Sequence, residues 1–555
     1  MPIPQERVEQ VLAEVAAEDC RPAHLLCDRH REDAVAFTLV GDDLGGRDLT
    51  YGQLRVRSEQ AAAALAGLGV GVGDRVATLM DKSEDLVVTL LGIWRLGAVH
   101  VPLFTAFGPP AIAARLVPSA TKVVVCDARQ RPKLDPSEDI PADAPWRVVV
   151  AGEPTGARAG DTRLAELLAG QDPGYPAAVR RSEDHLVQLF TSGTTGPPKA
   201  VSVPVKALAS FGIYMEYGLD VRDDDVFWNA ADPGWAYGLY YGVLGPLVTG
   251  HGNLLLQAGF DLALTWNVLE RFKVTNLAAA PTIYRALRCG ERHAPSGELS
   301  LRACSSAGEP LNPEVIAWAE QRLGVPIRDH YGQTEVGMAV VNGWHPDVQD
   351  DLKPGSMGRA MTGFRTAALG IDEDELAGPG DQGRLAIDVA ASPLMWFSGY
   401  AGDPDRTGDR FSADGRWYFS GDLASVDEDG SFFFASRDDD LIIMAGYRIG
   451  PFEVESALVS HPDVAEAAAI GVPDPLRGEI LEAYVVLRDG ATPGPALVAA
   501  LKHHVKQRYA AHAYPRTIHI TDALPKTPSG KTQRFLLRER RRNELQDQTP
   551  RARPA

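Results

Sequence analysis

The stretch LFTSGTTGPPKAV at residues 189–201 follows a strand-like segment and combines glycines, hydroxyls and one lysine. Glycines allow backbone N–H groups to turn inward and form an anion-binding nest, and a lysine adds positive charge. The positions suited to bind phosphate are Thr191, Ser192, Gly193, Thr194, Thr195, Gly196 and Lys199. A Walker loop has a longer gap between its glycines and ends in Lys-Ser or Lys-Thr. The stretch therefore predicts a triphosphate-binding loop outside the P-loop class, and alone it would equally suit a polar surface turn.

Strand-like and helix-like segments alternate on the N-terminal side of this loop. Apolar strand candidates lie at residues 75–80, 122–127 and 146–152, and helix candidates lie at 54–70 and 86–99. Such alternation predicts an α/β fold with substantial parallel sheet. Two segments rich in proline, glycine and charge are predicted to be surface loops, at residues 135–145 and 156–176.

The pattern changes after Asp439. Short strand candidates surround helix candidates at residues 451–461 and 496–507, and a segment of this size suits a compact α+β domain. We therefore predict a large N-terminal domain at residues 1–438, a small C-terminal domain at 439–545 and a flexible tail at 546–555.

Net charge limits the partners of the chain. The 555 residues include 74 acidic and 55 basic ones, which gives a formal net charge of −19. A general affinity for nucleic acid or anionic membranes is not expected from this balance. The one dense basic run, at residues 538–542, is predicted to be a solvated terminal helix without a binding function.

Cysteine usage and hydropathy indicate the compartment. Five scattered cysteines show neither CxxC spacing nor histidine partners at zinc-ligand distances, so we predict reduced thiols and no metal cluster. The N-terminus lacks the apolar core of a signal peptide, and no uncharged apolar run approaches the ~18 residues of a membrane helix. A cytoplasmic, soluble protein without a membrane span is expected, either a monomer or a homo-oligomer.

Further motifs follow the phosphate loop in order. They are SSAGEPL (305–311), DHYGQTEVG (329–337), YFSGDLASVDEDG (418–430), SRDDDLIIMAGYRIGPFEVES (436–456) and PKTPSGKTQR (525–534). Together with TSGTTGPPK they resemble the signature of the adenylate-forming superfamily, over nearly the whole chain. The resemblance is strongest to medium-chain acyl-CoA synthetases and acetyl-CoA synthetase. It implies layered α/β sheets with a small β-barrel-like subdomain, followed by a small mobile C-terminal α+β domain.

The resemblance also implies a reaction. Such enzymes join a carboxylic acid to AMP with release of pyrophosphate, and then transfer the acyl group to the thiol of coenzyme A. The expected cofactors and co-substrates are ATP, Mg²⁺ and coenzyme A, and the expected partner is a small carboxylic acid. A stand-alone adenylation enzyme that loads a carrier protein or another acceptor is the alternative within the family. Retention of Lys531 argues against a third possibility, a catalytically silent nucleotide-binding regulator.

The matching positions suggest a nucleotide site. Lys531 would bridge the substrate carboxylate and the α-phosphate, and Glu335 would hold the Mg²⁺ that ATP carries, since Mg²⁺ prefers carboxylates and phosphate oxygens. Asp422 would accept both ribose hydroxyls. Beside the phosphate loop, the nucleotide contacts implied by the motifs are Gly308, Glu309, Pro310, Asp329, His330, Tyr331, Gly332, Gln333, Thr334, Asp422, Arg437 and Arg448.

Two half-reactions in one site require a moving part. The family rotates its small domain about the position that matches Asp439, so that the lysine leaves and another face arrives. The resemblance then places Ala445, Gly446 and Tyr447 along the pantetheine tunnel, and Lys506 near a phosphate of coenzyme A.

The resemblance places the acyl pocket at Trp235, Ala236, Tyr237, Ala307 and Gly332. The size of the acid is predicted from the three small residues among them, Ala236, Ala307 and Gly332. Acetate enzymes carry a tryptophan at the position of Gly332, and replacing an indole by hydrogen would open a cavity for several methylenes, each worth ~0.8 kcal/mol when buried. A medium-chain, branched or aromatic acid is therefore expected. On this interpretation, Gly332→Trp would shift the preference toward acetate.

Overall fold

The computed structural model describes residues 5–152, 158, 160–191, 198–371, 373–444, 447–474, 478–510, 513–527 and 531–548. Between its strands lie short and medium helices, several of which begin with proline in the first turn, where no backbone N–H donor is needed. The helices are α1 (Gln5–Ala16), α2 (Tyr51–Gly67), α3 (Glu84–Leu96), α4 (Pro109–Leu116), α5 (Leu164–Ala169), α6 (Ala207–Ile213), α7 (Ala236–Leu239), α8 (Gly245–Thr249), α9 (Leu262–Arg271), α10 (Pro281–Cys289), α11 (Pro313–Arg322), α12 (Pro404–Gly408), α13 (Pro451–Val459), α14 (Pro495–Arg508) and α15 (Arg534–Gln548).

The first large sheet has seven strands and carries the phosphate-binding stretch at one edge. In spatial order its strands are β7 (Thr162–Arg163), β6 (Arg147–Ala151), β5 (Val123–Asp127), β3 (Arg75–Leu79), β4 (Val99–Pro102), β8 (His185–Thr191) and β9 (Lys199–Pro204). Its inner strands pair in parallel and are valine-rich with buried side chains, as expected for a sheet covered on both faces. The edge pair β8 and β9 is antiparallel, with Thr191 opposite Lys199.

The second large sheet has ten strands and changes character along its width. In spatial order they are β10 (Phe227–Asn229), β12 (Asn276–Ala279), β13 (Ala303–Ala307), β14 (Ile327–Gln333), β15 (Gly337–Val341), β16 (Ser356–Ala360), β20 (Phe432–Arg437), β19 (Trp417–Val426), β18 (Gln382–Asp388) and β17 (Thr366–Leu369). The pairs from β10 to β14 are parallel, and those from β14 onward are antiparallel. The antiparallel part corresponds to the expected barrel-like subdomain.

Two smaller sheets complete the fold. One contains β11 (Asn253–Leu256), β1 (Val35–Val40) and β2 (Gly46–Thr50). The other lies wholly beyond Asp439 and has its own buried core. Its strands are β22 (Tyr447–Ile449), β21 (Ile442–Met444), β24 (Gly478–Leu487), β23 (Val464–Asp474) and β25 (Thr517–Ile520). The predicted α/β class, with a large N-terminal part and a small C-terminal α+β part, is confirmed, while the boundary at Asp439 stays a prediction.

Three details differ from the sequence-based expectations. Residues 156–176 are not all loop, because β7 and α5 lie within them; α5 buries Leu164 and Leu168, an apolar spacing that the surrounding polar residues obscured. The last helix runs to Gln548, past the predicted start of the tail. The basic run is helical as expected but not simply solvated, because Arg538 and Arg541 form ion pairs with Asp440 and Glu482.

A membrane-spanning helix was not expected from the sequence. Within the described ranges, each helix is too short or too polar to cross a bilayer.

Candidate active site

The candidate site begins at the carboxyl ends of β13 and β14. These strands pair in parallel, with Ala307 opposite His330, so the segments that follow them emerge at the same edge of the sheet. Ligands of open α/β sheets bind outside this edge. The GEP segment after Ala307 and the QTE segment after Gly332 therefore face a common space.

Asp422 lies on β19 at the centre of a hydrogen-bond network. Its Oδ2 accepts a hydrogen bond from the Tyr331 hydroxyl at 2.5 Å and from Gln333 Nε2 at 2.8 Å. The Tyr418 hydroxyl donates to Gln333 Oε1 at 2.9 Å and thereby fixes that amide. Burial raises the pKa of Asp422, and the guanidinium of Arg437, opposite it on β20, opposes this shift. The result is a preoriented acceptor suited to a pair of hydroxyl donors.

Glu335 lies beside this network and is only 8% exposed. Its Oε1 accepts a hydrogen bond from the Tyr400 hydroxyl at 2.9 Å, and Arg410 Nε donates to the same hydroxyl at 3.2 Å. Lys199 Nζ lies 5.0 Å from the centroid of the Tyr400 ring. Tyr400 therefore lies next to both Lys199, at the end of the phosphate loop, and Glu335, the predicted metal ligand.

Tyr400 and Arg410 are site residues that sequence reasoning missed. Both lie in the segment between β18 and β19, outside the motifs, and Arg410 also donates to the carbonyl oxygen of Ser420 at 2.9 Å. Their alignment on Glu335 depends on the fold of that segment, and no local spacing signals it. A hydrogen-bonded second layer of this kind orients a metal-binding carboxylate.

These surroundings fit a magnesium ion carried by ATP. Mg²⁺ binds hard oxygen ligands, usually one or two carboxylates together with phosphate oxygens and water. Within the described residues, the Glu335 carboxylate receives a hydrogen bond only from Tyr400, through Oε1. Its other oxygen is the one that would contact the ion.

Lys531 enters the site from the C-terminal part of the chain. Its Nζ lies 5.4 Å from the centroid of the Trp235 ring, in a cation–π arrangement. Burial lowers the pKa of Lys531, the carboxylates of Glu309, Asp422 and Glu335 raise it, and Arg437 adds to the lowering. The structure thus brings Lys531 into the same space as the predicted nucleotide carboxylates.

The GEP segment is shaped by close contacts. Gly308 has φ +102°, and a Cβ atom there would lie 2.6 Å from the Trp235 ring. Arg285 Nη2 donates to Glu309 Oε2 at 2.5 Å, while Glu309 Oε1 is buried without a partner among the described atoms. Pro310 is half-buried beside them. Gly308 therefore lets Trp235 approach, and Glu309 offers one oxygen toward the site.

The residues of β14 do not all face the nucleotide space. His330 is 2% exposed, and its two ring nitrogens bind the Tyr214 hydroxyl at 2.6 Å and the carbonyl oxygen of Asn342 at 3.0 Å. Burial lowers the pKa of His330 to about 3, so the ring is neutral at physiological pH. Strand alternation turns the His330 ring away from Tyr331, so its side chain serves the core, and a nucleotide contact of this residue stays a prediction.

Asp329 and Thr334 have mainly structural contacts. Asp329 Oδ2 accepts the backbone N–H of Leu311 at 3.3 Å, and burial holds the pKa of Asp329 well above its usual value. The carbonyl oxygen of Thr334 accepts the Tyr240 hydroxyl at 3.0 Å. Both residues border the site and fix its two ends.

An aromatic cluster lies behind Trp235, where the acyl pocket was predicted. We use this term for the rings of Phe211, Tyr214, Tyr237, Tyr240 and Tyr241, which are buried and contact one another at centroid distances of 4.4–6.1 Å. Two short π-helical turns, Tyr214–Gly218 and Tyr240–Leu244, place several of these rings. Such turns often occur at functional sites. Ala236 and Ala307 are buried in the same hydrophobic core as these rings.

Gly332 does not leave the cavity that was expected from the sequence. A Cβ atom at this position would lie 2.2 Å from the carbonyl oxygen of Gly337, because β14 and β15 shift register between Tyr331 and Gly332. The glycine therefore permits close approach of two backbones. The interpretation of Gly332 as empty acyl space is wrong for this structure, and Gly332→Trp would displace backbone rather than fill a pocket.

This close approach predicts that Gly332→Ala lowers stability. Overpacking of this kind costs about 1–3 kcal/mol, so for a chain of this size the midpoint of thermal unfolding should fall by about 1–3 °C. Gly67→Ala is the matched control, since a Cβ atom at Gly67 meets nothing within 4 Å. Equal midpoints for the two variants would contradict the assigned backbone role.

Several predicted residues fall outside the described part of the chain or away from this cluster. Residues 192–197 of the phosphate loop and residues 445–446 of the pantetheine segment lie outside it, and the side chains of Asp439, Tyr447 and Arg448 are not described either. Lys506 on α14 is described, and its Nζ lies 3.9 Å from the centroid of the Tyr514 ring. The structure brings together Thr191, Lys199, Trp235, Glu309, Tyr331, Gln333, Glu335, Asp422, Arg437 and Lys531.

Comparison with known proteins gives consistent matches. The family described as AMP-binding enzyme matches residues 26–400, and the AMP-binding enzyme C-terminal domain matches residues 453–531. Acetyl-coenzyme A synthetase of Bacillus subtilis (strain 168) is 37% identical over 529 residues, covering 93% of this chain and 90% of that protein.

Two solved structures resemble the chain over nearly its whole length. The crystal structure of acyl-CoA synthetase from Brucella canis is 42% identical with a TM-score of 0.76, covering 99% of this chain and 100% of that one. The anthranilate CoA ligase AuaEII in complex with anthranoyl-AMP is 28% identical with a TM-score of 0.86, covering 96% and 99%.

Proposed function

We propose that this chain acts on a carboxylic acid larger than acetate. It belongs to the AMP-binding enzyme family and is an AMP-forming acid–CoA ligase that uses ATP, Mg²⁺ and coenzyme A. A medium-chain, branched or aromatic acid suits the site best. The support for this is the aromatic cluster, whose Tyr237 ring lies 6.1 Å from that of Trp235, and the small side chains of Ala236 and Ala307, which directly precede Tyr237 and Gly308 in the chain. Aromatic walls bind apolar groups and favour offset or edge-on contact with another ring.

The convergence of Lys531 on Trp235 and the nucleotide carboxylates carries the proposed roles of the site residues. In the first step a carboxylate oxygen attacks the α-phosphorus of ATP and pyrophosphate leaves. Lys531 offsets repulsion between the two anions and stabilises charge on the phosphoryl oxygens. Asp422 would hold the ribose hydroxyls, and Glu335 would hold the Mg²⁺ ion, which when bound supplies charge neutralisation at the departing phosphates.

In the second step the thiolate of coenzyme A attacks the acyl carbonyl carbon, and AMP leaves. Lys531 has no role in the attack by the sulfur. We infer that the loop that carries Lys531 leaves the active site before this second step. We assign the withdrawal to a rotation at Asp439 of the C-terminal domain at 439–545 against the domain at 1–438. The pantetheine arm would then lie along residues 445–447, with Lys506 near a phosphate.

An acid panel tests the proposed substrate. The purified chain would be given ATP, Mg²⁺ and coenzyme A with acetate, butanoate, octanoate, 2-methylpropanoate or benzoate, and AMP formation measured. Burial of two further methylenes is worth ~1.6 kcal/mol, so kcat/KM for butanoate should exceed that for acetate about 10-fold. Acetate is the named substrate of the B. subtilis relative, and a preference for acetate here would overturn the proposal.

The same assay separates the ligase from the carrier-loading alternative. Pyrophosphate release without thiol is expected in either case, while AMP release that depends on free coenzyme A is expected only of the ligase. If a phosphopantetheinylated carrier protein supports turnover and free coenzyme A does not, the acceptor is the carrier thiol.

A further inference from the structure

The loop that carries Lys531 is closed at its base by backbone hydrogen bonds. Thr527 N–H donates to the carbonyl oxygen of Lys531 at 2.7 Å, and Lys531 N–H donates to Thr527 Oγ1 at 3.0 Å. Gln533 N–H donates to the carbonyl oxygen of Pro525 at 2.8 Å. Helix α15 begins directly afterwards, at Arg534. The position of Lys531 is therefore set by whatever fixes the first turn of α15.

Arg534 fixes that turn by binding two carboxylates. Its Nε and Nη2 donate to Glu455 at 2.8 and 2.7 Å, in the bidentate geometry that suits a guanidinium. Its Nη1 donates to Asp440 Oδ2 at 3.1 Å, and Arg538 Nη1 donates to the other oxygen of Asp440 at 2.8 Å. Both carboxylates are 7% exposed, so these ion pairs are screened far less than surface pairs.

The partners of Arg534 tie it to the rest of the small domain and to its proposed hinge. Glu455 lies on α13 and also accepts the backbone N–H of Ala469 on β23 at 2.8 Å. Asp440 directly follows Asp439, where the rotation is proposed. Burial alone would lower the pKa of Arg534, but Glu455 and Asp440 raise it, so its charge is retained throughout the physiological range.

We propose that Arg534 and Arg538, through Asp440, couple the hinge to the lysine loop, so that rotation at Asp439 moves Lys531 as part of one rigid unit. Arg534 is a positioning residue that acts through Lys531. The proposal rests on the proposed roles of Lys531 and Asp439, and it adds a specific linkage between them. The sequence-based interpretation gives the basic run at residues 538–542 no binding function. In this proposal, Arg538 of that run helps to position the loop that carries Lys531.

A different ion pair, outside the network of Arg534, holds α15 against the sheet. Arg541, further along the same helix, donates to both oxygens of Glu482 on β24 at 2.8 and 3.2 Å. Arg540 is 61% exposed; it forms an ion pair with Glu544 of the same helix, and its guanidinium lies 5.9 Å from the centroid of the Tyr484 ring on β24. Loss of Arg541 therefore loosens the helix without touching the hinge, and loss of Arg540 removes only an exposed ion pair and a long ring contact.

The test measures the two half-reactions separately. The wild type and the variants Arg534→Ala, Arg534→Lys, Asp440→Asn, Arg541→Ala, Arg540→Ala and Lys531→Ala would be assayed with the fastest acid of the panel. Acyl-AMP formation is followed by pyrophosphate release, and transfer to coenzyme A is followed from supplied acyl-AMP. We expect kcat of adenylation to fall about 10- to 100-fold in Arg534→Ala and Asp440→Asn, as for loss of other orienting residues, with KM for ATP unchanged. Partial recovery is expected in Arg534→Lys.

Four outcomes decide the proposal. Selective loss of adenylation in the Arg534 and Asp440 variants, with normal adenylation in Arg540→Ala, supports it. Equal loss of both half-reactions in Arg534→Ala and Arg541→Ala would show that the network only holds the helix, and would overturn it. Normal adenylation in Arg534→Ala alongside inactive Lys531→Ala overturns the coupling alone. Normal adenylation in Lys531→Ala would instead overturn the proposed function of the lysine.

Discussion

Lys531→Ala is expected to lose acyl-AMP formation by roughly 100- to 1,000-fold, the loss associated with removing a preorganised group that stabilises transition-state charge. The Lys531 ammonium lies 5.4 Å from the centroid of the Trp235 ring, and the carboxylates of Glu309, Asp422 and Glu335 oppose the lowering of its pKa by burial, so we expect the two anionic substrates to meet beside it. Transfer of the acyl group from supplied acyl-AMP to coenzyme A should be nearly unaffected. The measurement is pyrophosphate release for the first step and thioester formation for the second.

Two further variants sharpen this result. Lys531→Arg keeps a positive charge but changes its reach and geometry, so it should retain more adenylation than Lys531→Ala. Trp235→Leu keeps the lysine and removes the ring that lies 5.4 Å from its Nζ, and should reduce adenylation less than either lysine variant. An equal loss of both half-reactions in Lys531→Ala would refute the assigned role.

The sequence predicted which residues come together better than it predicted their surroundings. Local motifs pointed to Lys531, Glu335 and Asp422, whose roles toward phosphate, metal and ribose stay predictions, because residue types suited to such contacts occur in short recognisable runs. The α/β class followed from alternating apolar segments, and the parallel pairing of β3, β5 and β6 confirms it. These features are local, so a single chain displays them.

Residues that depend on the tertiary fold escaped prediction. Tyr400 reaches Glu335, and Arg410 reaches the Tyr400 hydroxyl, only because the segment between β18 and β19 folds back beside the QTE segment that follows β14. The direction of the His330 side chain is a different case. Alternation along β14 separates its side chain from those of Tyr331 and Gln333, and applying that period to the motif would have predicted its burial.

Gly332 shows why a missing side chain is ambiguous in a sequence. A glycine either leaves space for a ligand or admits another part of the chain, and only the register of β14 and β15 decides between them. Here the backbone of Gly337 occupies the space. Under the proposed function, the acid is selected instead by the aromatic cluster, whose rings lie on α6, α7 and two separate π-helical turns and are brought together only by folding.

Glu335→Gln is the second variant with a large expected effect. The substitution keeps the size of the side chain and its ability to accept from Tyr400, but it removes the negative charge that would bind Mg²⁺. A metal-borne charge on the phosphates stabilises the transition state by several kcal/mol, so adenylation at low Mg²⁺ should fall about 100-fold or more. The measurement is the initial rate of pyrophosphate release at saturating ATP over a range of Mg²⁺ concentrations.

Tyr400→Phe is the matched control, because it removes only the hydroxyl that orients the carboxylate and leaves the charge of Glu335 in place. Loss of an orienting partner of a metal ligand typically costs about 10- to 100-fold in affinity or activity. The Mg²⁺ dependence of the rate should therefore change less in Tyr400→Phe than in Glu335→Gln. The order of the two effects is the decisive point. If Glu335→Gln lowers the rate equally at all Mg²⁺ concentrations, the carboxylate acts on the fold or on another group. If Tyr400→Phe has the larger effect, the hydrogen bond between Tyr400 and Glu335 matters more than the metal contact.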